Sequence, residues 1–334
     1  MSKILVIGGA GYIGSHMVRL LVEAGREVVV FDNFSQGHRQ AIWGVEVFQG
    51  DLLEPAELRA VFERHDIDAV IHFAALIAVG DSVRDPNAYY RNNVIGTLNL
   101  VDAMRAVGVK KLVFSSTAAV FGNPTTDKLA EDHPRAPINP YGWSKRMVEQ
   151  MLEDMAAAWG LNSVALRYFN ACGAHISGEI GEAHDPETHL IPVVLLAVLG
   201  LRDSLELFGD DYDTPDGTCI RDYIHVSDLA SAHLKALDYI DKHPGAHAFN
   251  LGNGAGFSNL EVVDTARQVT GKALPVEIAP RRKGDPARLV ADSTRARKEL
   301  GWVPDHPDLA TIIESAWVWH QNPAYGPFAK RTEP

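Results

Sequence analysis

The chain has 334 residues and a mass of 36.5 kDa, with 46% apolar, 22% charged and 8% aromatic residues. Those proportions exclude a disordered, collagen-like or low-complexity chain, and the length corresponds to about two domains. With 31 basic against 43 acidic residues the formal charge is −12, so the basic excess of a nucleic-acid binder is missing and any anionic ligand must be held by a few placed groups.

The first apolar run, Lys3–Ile7, is too short for a signal peptide and passes straight into glycines; a cytoplasmic protein is expected. The run reads as a strand. Gly8-Gly9-Ala10-Gly11-Tyr12-Ile13-Gly14 joins it to a helix whose periodic part covers 16–23, closed by Gly25. Glycines there let the backbone turn tightly, approach a pyrophosphate and pack the helix on the sheet, with the phosphates at the free N–H groups of the helix start. A second strand over 27–31 leads to Asp32, 18 residues past Gly14, where a carboxylate binds a ribose 2′-hydroxyl. It would repel a 2′-phosphate, so NAD is expected over NADP. A third strand, 45–49, precedes Gly50-Asp51-Leu52, with Asp51 placed to accept from an adenine amino group. A fourth, 69–73, ends in Phe73-Ala74-Ala75, small enough for the chain to pass under a cofactor.

A helix over 94–106, closed by Gly108, then leads to a fifth strand, 111–115, followed by Ser116 and Thr117. Tyr141-Gly142-Trp143-Ser144-Lys145 opens a helix that runs to about Trp159, before Gly160. Tyr141 and Lys145 are four apart and share a helical face. A tyrosine titrates near ~10, too high for a base at neutral pH. A neighbouring ammonium and a nicotinium charge would favour the phenolate, and a shift of ~3 units asks for about 4 kcal/mol. The Thr117 hydroxyl lies at the same sheet edge, able to bond the substrate oxygen whose proton the tyrosine takes. Met147, Val148, Met151, Leu152 and Met155 on the helix read as packing residues. With a sixth strand over 163–167, buried runs alternating with helices predict a doubly wound parallel α/β sheet.

Beyond about 170 the texture changes. Stretches rich in Gly, Pro and Asp, 171–192 and 209–217, suggest a substrate-facing lobe built from loops. Ala246–Leu251 reads as a strand returning to the main sheet, so the second lobe is discontinuous. Ser258 and Glu261 have capping-box spacing. The longest apolar stretch, 191–199, is shorter than the ~18 residues of a membrane span, and no membrane partner is expected. Cys172 and Cys219 lie 47 positions apart and suggest neither a disulfide framework nor a zinc motif. His184 and His189, five apart, do not share a helical face, and no metal site is expected. The basic run Arg281-Arg282-Lys283, with Arg288, is local.

Taken together, these segments resemble the extended short-chain dehydrogenase/reductase family and, within it, the UDP-hexose 4-epimerases. The resemblance runs from Lys3 to about Trp302. It is carried by Gly8 to Gly14, Asp32-Asn33, His72-Phe73-Ala74, Ala78 to Val83, Asn92-Asn93-Val94, Phe114 to Thr117, Pro140 to Lys145, Arg167 to Asn170 and Arg221 to Val226. It implies a Rossmann domain over 1–170 plus about 224–252, and a smaller α/β substrate domain over about 171–223 and 253–334. It also implies NAD held by Tyr12, Ile13, Asp32, Asp51, Leu52, Phe73, Asn92, Lys145 and Phe169. Tyr141 would be the base, Thr117 its hydroxyl partner and Lys145 the group that sets its pKa. The implied substrate, UDP-galactose or UDP-glucose, would meet Asn170, His189, Leu190, Glu206, Leu207, Phe208, Arg221, Arg282 and Asp285. A homodimer is implied as well. Three positions depart from the pattern. Thr117 replaces the commoner serine, which keeps the hydroxyl and adds a methyl. Ile77 stands where the family usually carries a lysine against the cofactor, which predicts looser NAD retention. Leu289 stands where members carry either a bulky aromatic or a small residue beside the sugar, which leaves N-acetylated UDP-hexosamines and UDP-pentoses open as substrates. A related dehydratase needs an acid and a base after the threonine, but Ala118-Ala119 follow Thr117. A non-catalytic NAD-sensing module would have lost Tyr141 or Lys145, and both are present.

Overall fold

The computed structural model describes residues 3–202, 204–282 and 285–329; Lys283 of the basic run lies outside them. Seven parallel strands form the central sheet, in the spatial order Ala246–Leu251, Asn162–Tyr168, Lys111–Thr117, Ile67–His72, Lys3–Ile7, Val28–Asp32, Glu46–Gln49. From Lys3–Ile7 the chain builds outward to Glu46–Gln49, then crosses back to add Ile67–His72 on the other side. That reversal is the switch point at which open α/β sheets bind ligands.

Successive side chains of a strand face opposite ways. Ile4, Val6, Val28 and Val30 pack under the helices Tyr12–Glu23 and Val226–Ile240 through Met17, Leu21, Leu229 and Ala236. Leu5, Ile7, Val29 and Phe31 pack on the other face under Pro55–Arg64, Gly96–Val107 and Pro140–Trp159 through Leu58, Leu100, Met104 and Val148. Burial on both faces is why these strands read as continuous apolar runs.

The second lobe is stitched from very short strands. Asn170–Cys172 pairs with Tyr223–His225, and Leu205–Phe208 with Val276–Ala279. Ile220–Arg221 lies between Phe257–Ser258 and Arg288–Leu289. The helices Leu190–Val198, Asn259–Thr270 and Leu309–Gln321 close over their own core of Val194, Leu195, Val262, Val263, Ile312 and Ile313. The stretch 191–199 is thus a helix apolar on all sides because it is buried on nearly all of them. No helix among the described residues is long and apolar enough to cross a membrane.

Two elements differ from the periodic reading. The first helix begins at Tyr12 rather than at 16, because its opening turn carries glycines instead of apolar periodicity. Ahead of Gly96–Val107 the chain makes a π-helical turn over Tyr90–Ile95, which has no periodic signature of its own. The Ser258–Glu261 capping box forms with both of its bonds.

Candidate active site

The glycine loop is shaped by its neighbours. Gly8 has φ +76°, and a Cβ there would lie 2.6 Å from the Ala74 main-chain nitrogen. A Cβ on Gly14 would lie 2.1 Å from the Gly8 carbonyl oxygen, whereas one on Gly11 would meet only that oxygen, at 3.5 Å. Positions 8 and 14 therefore lock the loop to the chain around it, and Gly11 leaves room before the helix. Gly11 caps Tyr12–Glu23 without any side-chain bond, so the first-turn N–H groups, including those of Tyr12, Ile13 and Gly14, face outward unpartnered. Asp32, buried at the next strand end, accepts from Ala10 N at 2.9 Å and Phe34 N at 2.8 Å. Burial raises its pKa above the ordinary value, with the two bonds pulling the other way. Each oxygen keeps a lone pair for a ribose hydroxyl. Free helix-start donors, a cradle that a Cβ would fill and a carboxylate one strand away fit a dinucleotide.

The other expected cofactor residues line the same sheet edge. Asn33 donates to Asp51 Oδ2 at 2.8 Å, joining two of them. Leu52 packs against Gly96, and Phe73, leading into Ala74 and Ala75, packs against the His233 ring at 4.7 Å. Asn92 lies in the π-helical turn and donates to Asn93 Oδ1 at 2.9 Å. Phe169, after the strand Asn162–Tyr168, packs, as Leu289 does, against the cluster of Val120, Phe121 and Leu129.

The helix Pro140–Trp159 is pinned at its start. Pro140 occupies its first turn, and Asn139 Oδ1 accepts from Gly142 N at 2.8 Å. A Cβ on Gly142 would lie 2.5 Å from the Ala119 carbonyl oxygen, so glycine beside Tyr141 lets the helix abut the chain just past Thr117. Burial pushes the Tyr141 hydroxyl up to about 12, and a bond from Thr117 only partly offsets it. Lys145 is buried, with its Nζ donating to the Ser115 carbonyl at 2.8 Å. Burial lowers its pKa to about 7, opposed by the charge of Glu149. The protein groups alone thus hold the tyrosine above its ordinary value, chiefly by desolvation; the lowering expected from an ammonium and a nicotinium charge together belongs to the NAD-loaded site.

In the second lobe, Arg221 donates to the carbonyls of Ile220 and Pro286 at 2.9 and 2.8 Å, and its guanidinium lies 3.6 Å from Asp285. Leu289 is its register partner across the strand pair. Arg282 stacks over the Phe208 ring at 3.8 Å. On that strand Glu206 is exposed, but the Leu207 side chain is buried in the lobe's core, which leaves only its main chain to face a ligand. Asn170 donates to the Asp222 carbonyl at 3.0 Å. His189 caps the helix that Leu190 begins, its ring turned toward Glu182 and Glu187.

Three buried residues were assigned no role from the sequence. Asn93 accepts from Leu76 N and donates to Ser144 Oγ and the Leu76 carbonyl, tying the segment after the fourth strand to the Tyr141 helix. Glu149 is bonded by Ser116, Arg135 and Arg167. Burial would raise its pKa, yet these bonds leave it below the ordinary value. Its place four residues past Lys145, on the Tyr141 face, was the available signal. Asp222 accepts three main-chain N–H bonds, from Asn253, Gly254 and Ala291, so the aspartate beside Arg221 is an internal staple.

Residues 4–252 match the family model of the NAD dependent epimerase/dehydratase family. A UDP-glucose 4-epimerase of Halalkalibacterium halodurans is 52% identical over 323 residues, 97% of each chain. A UDP-glucose 4-epimerase from Brucella ovis, solved in complex with NAD, superposes with a TM-score of 0.93 at 50% identity, covering 95% of this chain and 98% of that one. The UDP-Glc/GlcNAc 4-epimerase of Campylobacter jejuni superposes with a TM-score of 0.85 at 45% identity, covering 96% and 99%. With the sheet order, the glycine cradle and the Tyr141 helix all in agreement with these likenesses, the chain belongs to the NAD dependent epimerase/dehydratase family.

Proposed function

We propose that this chain interconverts UDP-galactose and UDP-glucose with NAD as its cofactor, a reading supported by its UDP-glucose 4-epimerase relatives. The observation that carries it is the group Tyr141, Thr117 and Lys145, set at the sheet edge that also holds the glycine cradle. Bound NAD supplies the hydride acceptor for oxidation at C4 and the hydride donor for the return step. Tyr141 takes the C4 hydroxyl proton, with Thr117 bonding the same oxygen. The 4-keto sugar then turns over in the pocket, and Tyr141 returns the proton. Bringing Tyr141 from about 12 to near neutrality asks for ~5 units, about 7 kcal/mol, to be supplied by the nicotinium charge and a protonated Lys145. Arg221 and Arg282 are the cations for the UDP pyrophosphate.

The smaller domain, about 171–223 and 253–334, would carry the sugar nucleotide, and the rest the cofactor. Val83, Ile95, Trp143 and Met147 are exposed on segments that pack together, which supports a homodimer through that face; light scattering at micromolar concentration tests it, and a monomer would reject it. A cytoplasmic setting fits the nucleotide substrate and the free thiols Cys172 and Cys219. Leu289, intermediate in size at the sugar position, favours as a second reading an enzyme that also takes UDP-N-acetylhexosamines. Incubation of the purified chain with UDP-galactose, first without added NAD, and quantification of UDP-glucose tests the main reading. Turnover is expected, and no product even with NAD supplied would reject the hexose substrate.

A further inference from the structure

We propose that Glu182, His184, Glu187 and His189 form a closed site for one divalent first-row transition-metal ion, with zinc as its occupant. Their donor atoms all lie within 4.8 Å of one another. His184 Nδ1 is 3.0 Å from Glu182 Oε1 and 3.8 Å from Glu187 Oε2; His189 Nδ1 is 2.7 Å from Glu182 Oε1 and 3.3 Å from Glu187 Oε1. With Glu187 offering Oε2, the spacings of 2.7, 3.0 and 3.8 Å lie around the ~3.4 Å edge of a tetrahedron with metal–ligand bonds of about 2.0–2.2 Å. The His189 Nδ1 atom is buried and forms no aligned hydrogen bond, although a carboxylate oxygen is in close contact.

The charges and supports fit an ion as well. Two carboxylates balance a divalent cation with both imidazoles neutral, and both carboxylate side chains are buried. Glu187 Oε1 already accepts from the Thr188 and His189 main-chain nitrogens at 2.8 Å each, orienting Oε2, and Trp319 Nε1 holds the Glu182 carbonyl at 2.8 Å. Such bonds fix metal ligands in place. Two imidazoles disfavour magnesium and calcium, which take six or more oxygens. Helical spacing does not govern His184 and His189, because 173–189 is loop.

The ion would act as a clasp. The His184 ring meets the Tyr12 ring edge-on at 6.2 Å, and the Tyr12 hydroxyl donates to the Gly173 carbonyl at 2.6 Å. The site therefore joins the second lobe's longest loop to the glycine-loop helix. His189 would serve through its ring as a ligand, leaving its main chain to the sugar nucleotide.

The test is metal analysis of the tag-free chain, stripping with dipicolinate, and titration of the stripped chain with Zn²⁺, Mg²⁺ and Ca²⁺ by calorimetry and thermal unfolding. One zinc per chain is expected, with Tm rising by roughly 4 °C at a hundredfold excess over Kd, and no response to Mg²⁺ or Ca²⁺. Glu187→Gln and His184→Gln are expected to abolish binding, while His243→Gln, distant in sequence and outside the cluster, keeps it. Sub-stoichiometric zinc with no Tm rise, equal binding of Mg²⁺ or Ca²⁺, or undiminished binding by folded ligand variants would overturn the proposal. Should the variants not fold, the wild-type titration decides alone.

Discussion

At Gly8 the shape of the site is set by main chain against main chain, a Cβ having no room beside Ala74. At Arg221 and Leu289 it is set by the register of strands only two residues long, and a slip of one residue there would turn a different side chain to the pocket. The cofactor half is thus held by local backbone geometry, and the sugar half by side chains that distant segments bring together. The first arrangement admits few substitutions and the second many, so cofactor use should be rigid while substrate range is open to change.

Tyr141→Phe is the severest way to test this division, because Tyr141 stands where the two halves meet and its hydroxyl carries the chemistry. Turnover should fall by ~10²–10⁴, the usual worth of a positioned acid–base group, with NAD content of the purified protein unchanged. Gly8→Ala forces a side chain into φ +76° at a cost of about 1–3 kcal/mol, and retained NAD should fall ~10–100-fold in equilibrium dialysis while the affinity for UDP stays as it was. Arg221→Met should do the opposite. KM for UDP-galactose should rise ~10–100-fold, the worth of a charge-assisted bond or two, with NAD content intact. If either variant damaged both affinities equally, the two halves would not be separable.

Smaller effects sharpen the same contrast. Leu289→Ser should raise kcat/KM for UDP-N-acetylgalactosamine about tenfold, and Leu289→Tyr should lower it, since a pocket methylene or two is worth ~10–200-fold. Least of all, Ile77→Lys should slow NAD loss during dialysis by roughly a few-fold, as an exposed cation contributes ~0–1 kcal/mol.

What could be read from the sequence divides along the same line. The glycine loop, the strands of the sheet, the capping box at Ser258 and the Tyr141–Lys145 pair are all written within a few residues, where periodicity and cap chemistry act. The π-helical turn at Tyr90–Ile95 was not legible, because one extra residue in a turn leaves no mark on an apolar pattern. Nor were the strands 220–221, 257–258 and 288–289, too short for alternation to show. The meeting of His184 and His189 with two glutamates depends on a loop path that no spacing rule describes. The burial that raises the Tyr141 pKa was likewise not legible, because it depends on segments distant in sequence.

The contact of Gly8 with the Ala74 main chain has an evolutionary corollary. A descendant of this chain that gave up epimerisation could lose Tyr141 at once, since little else in the fold leans on its hydroxyl. It could not lose Gly8 or Gly14 without moving neighbouring backbone. Among paralogues the glycine fingerprint should therefore outlive the chemistry, and the fate of Tyr141 and Lys145, more than that of the glycines, should separate working enzymes from retired ones.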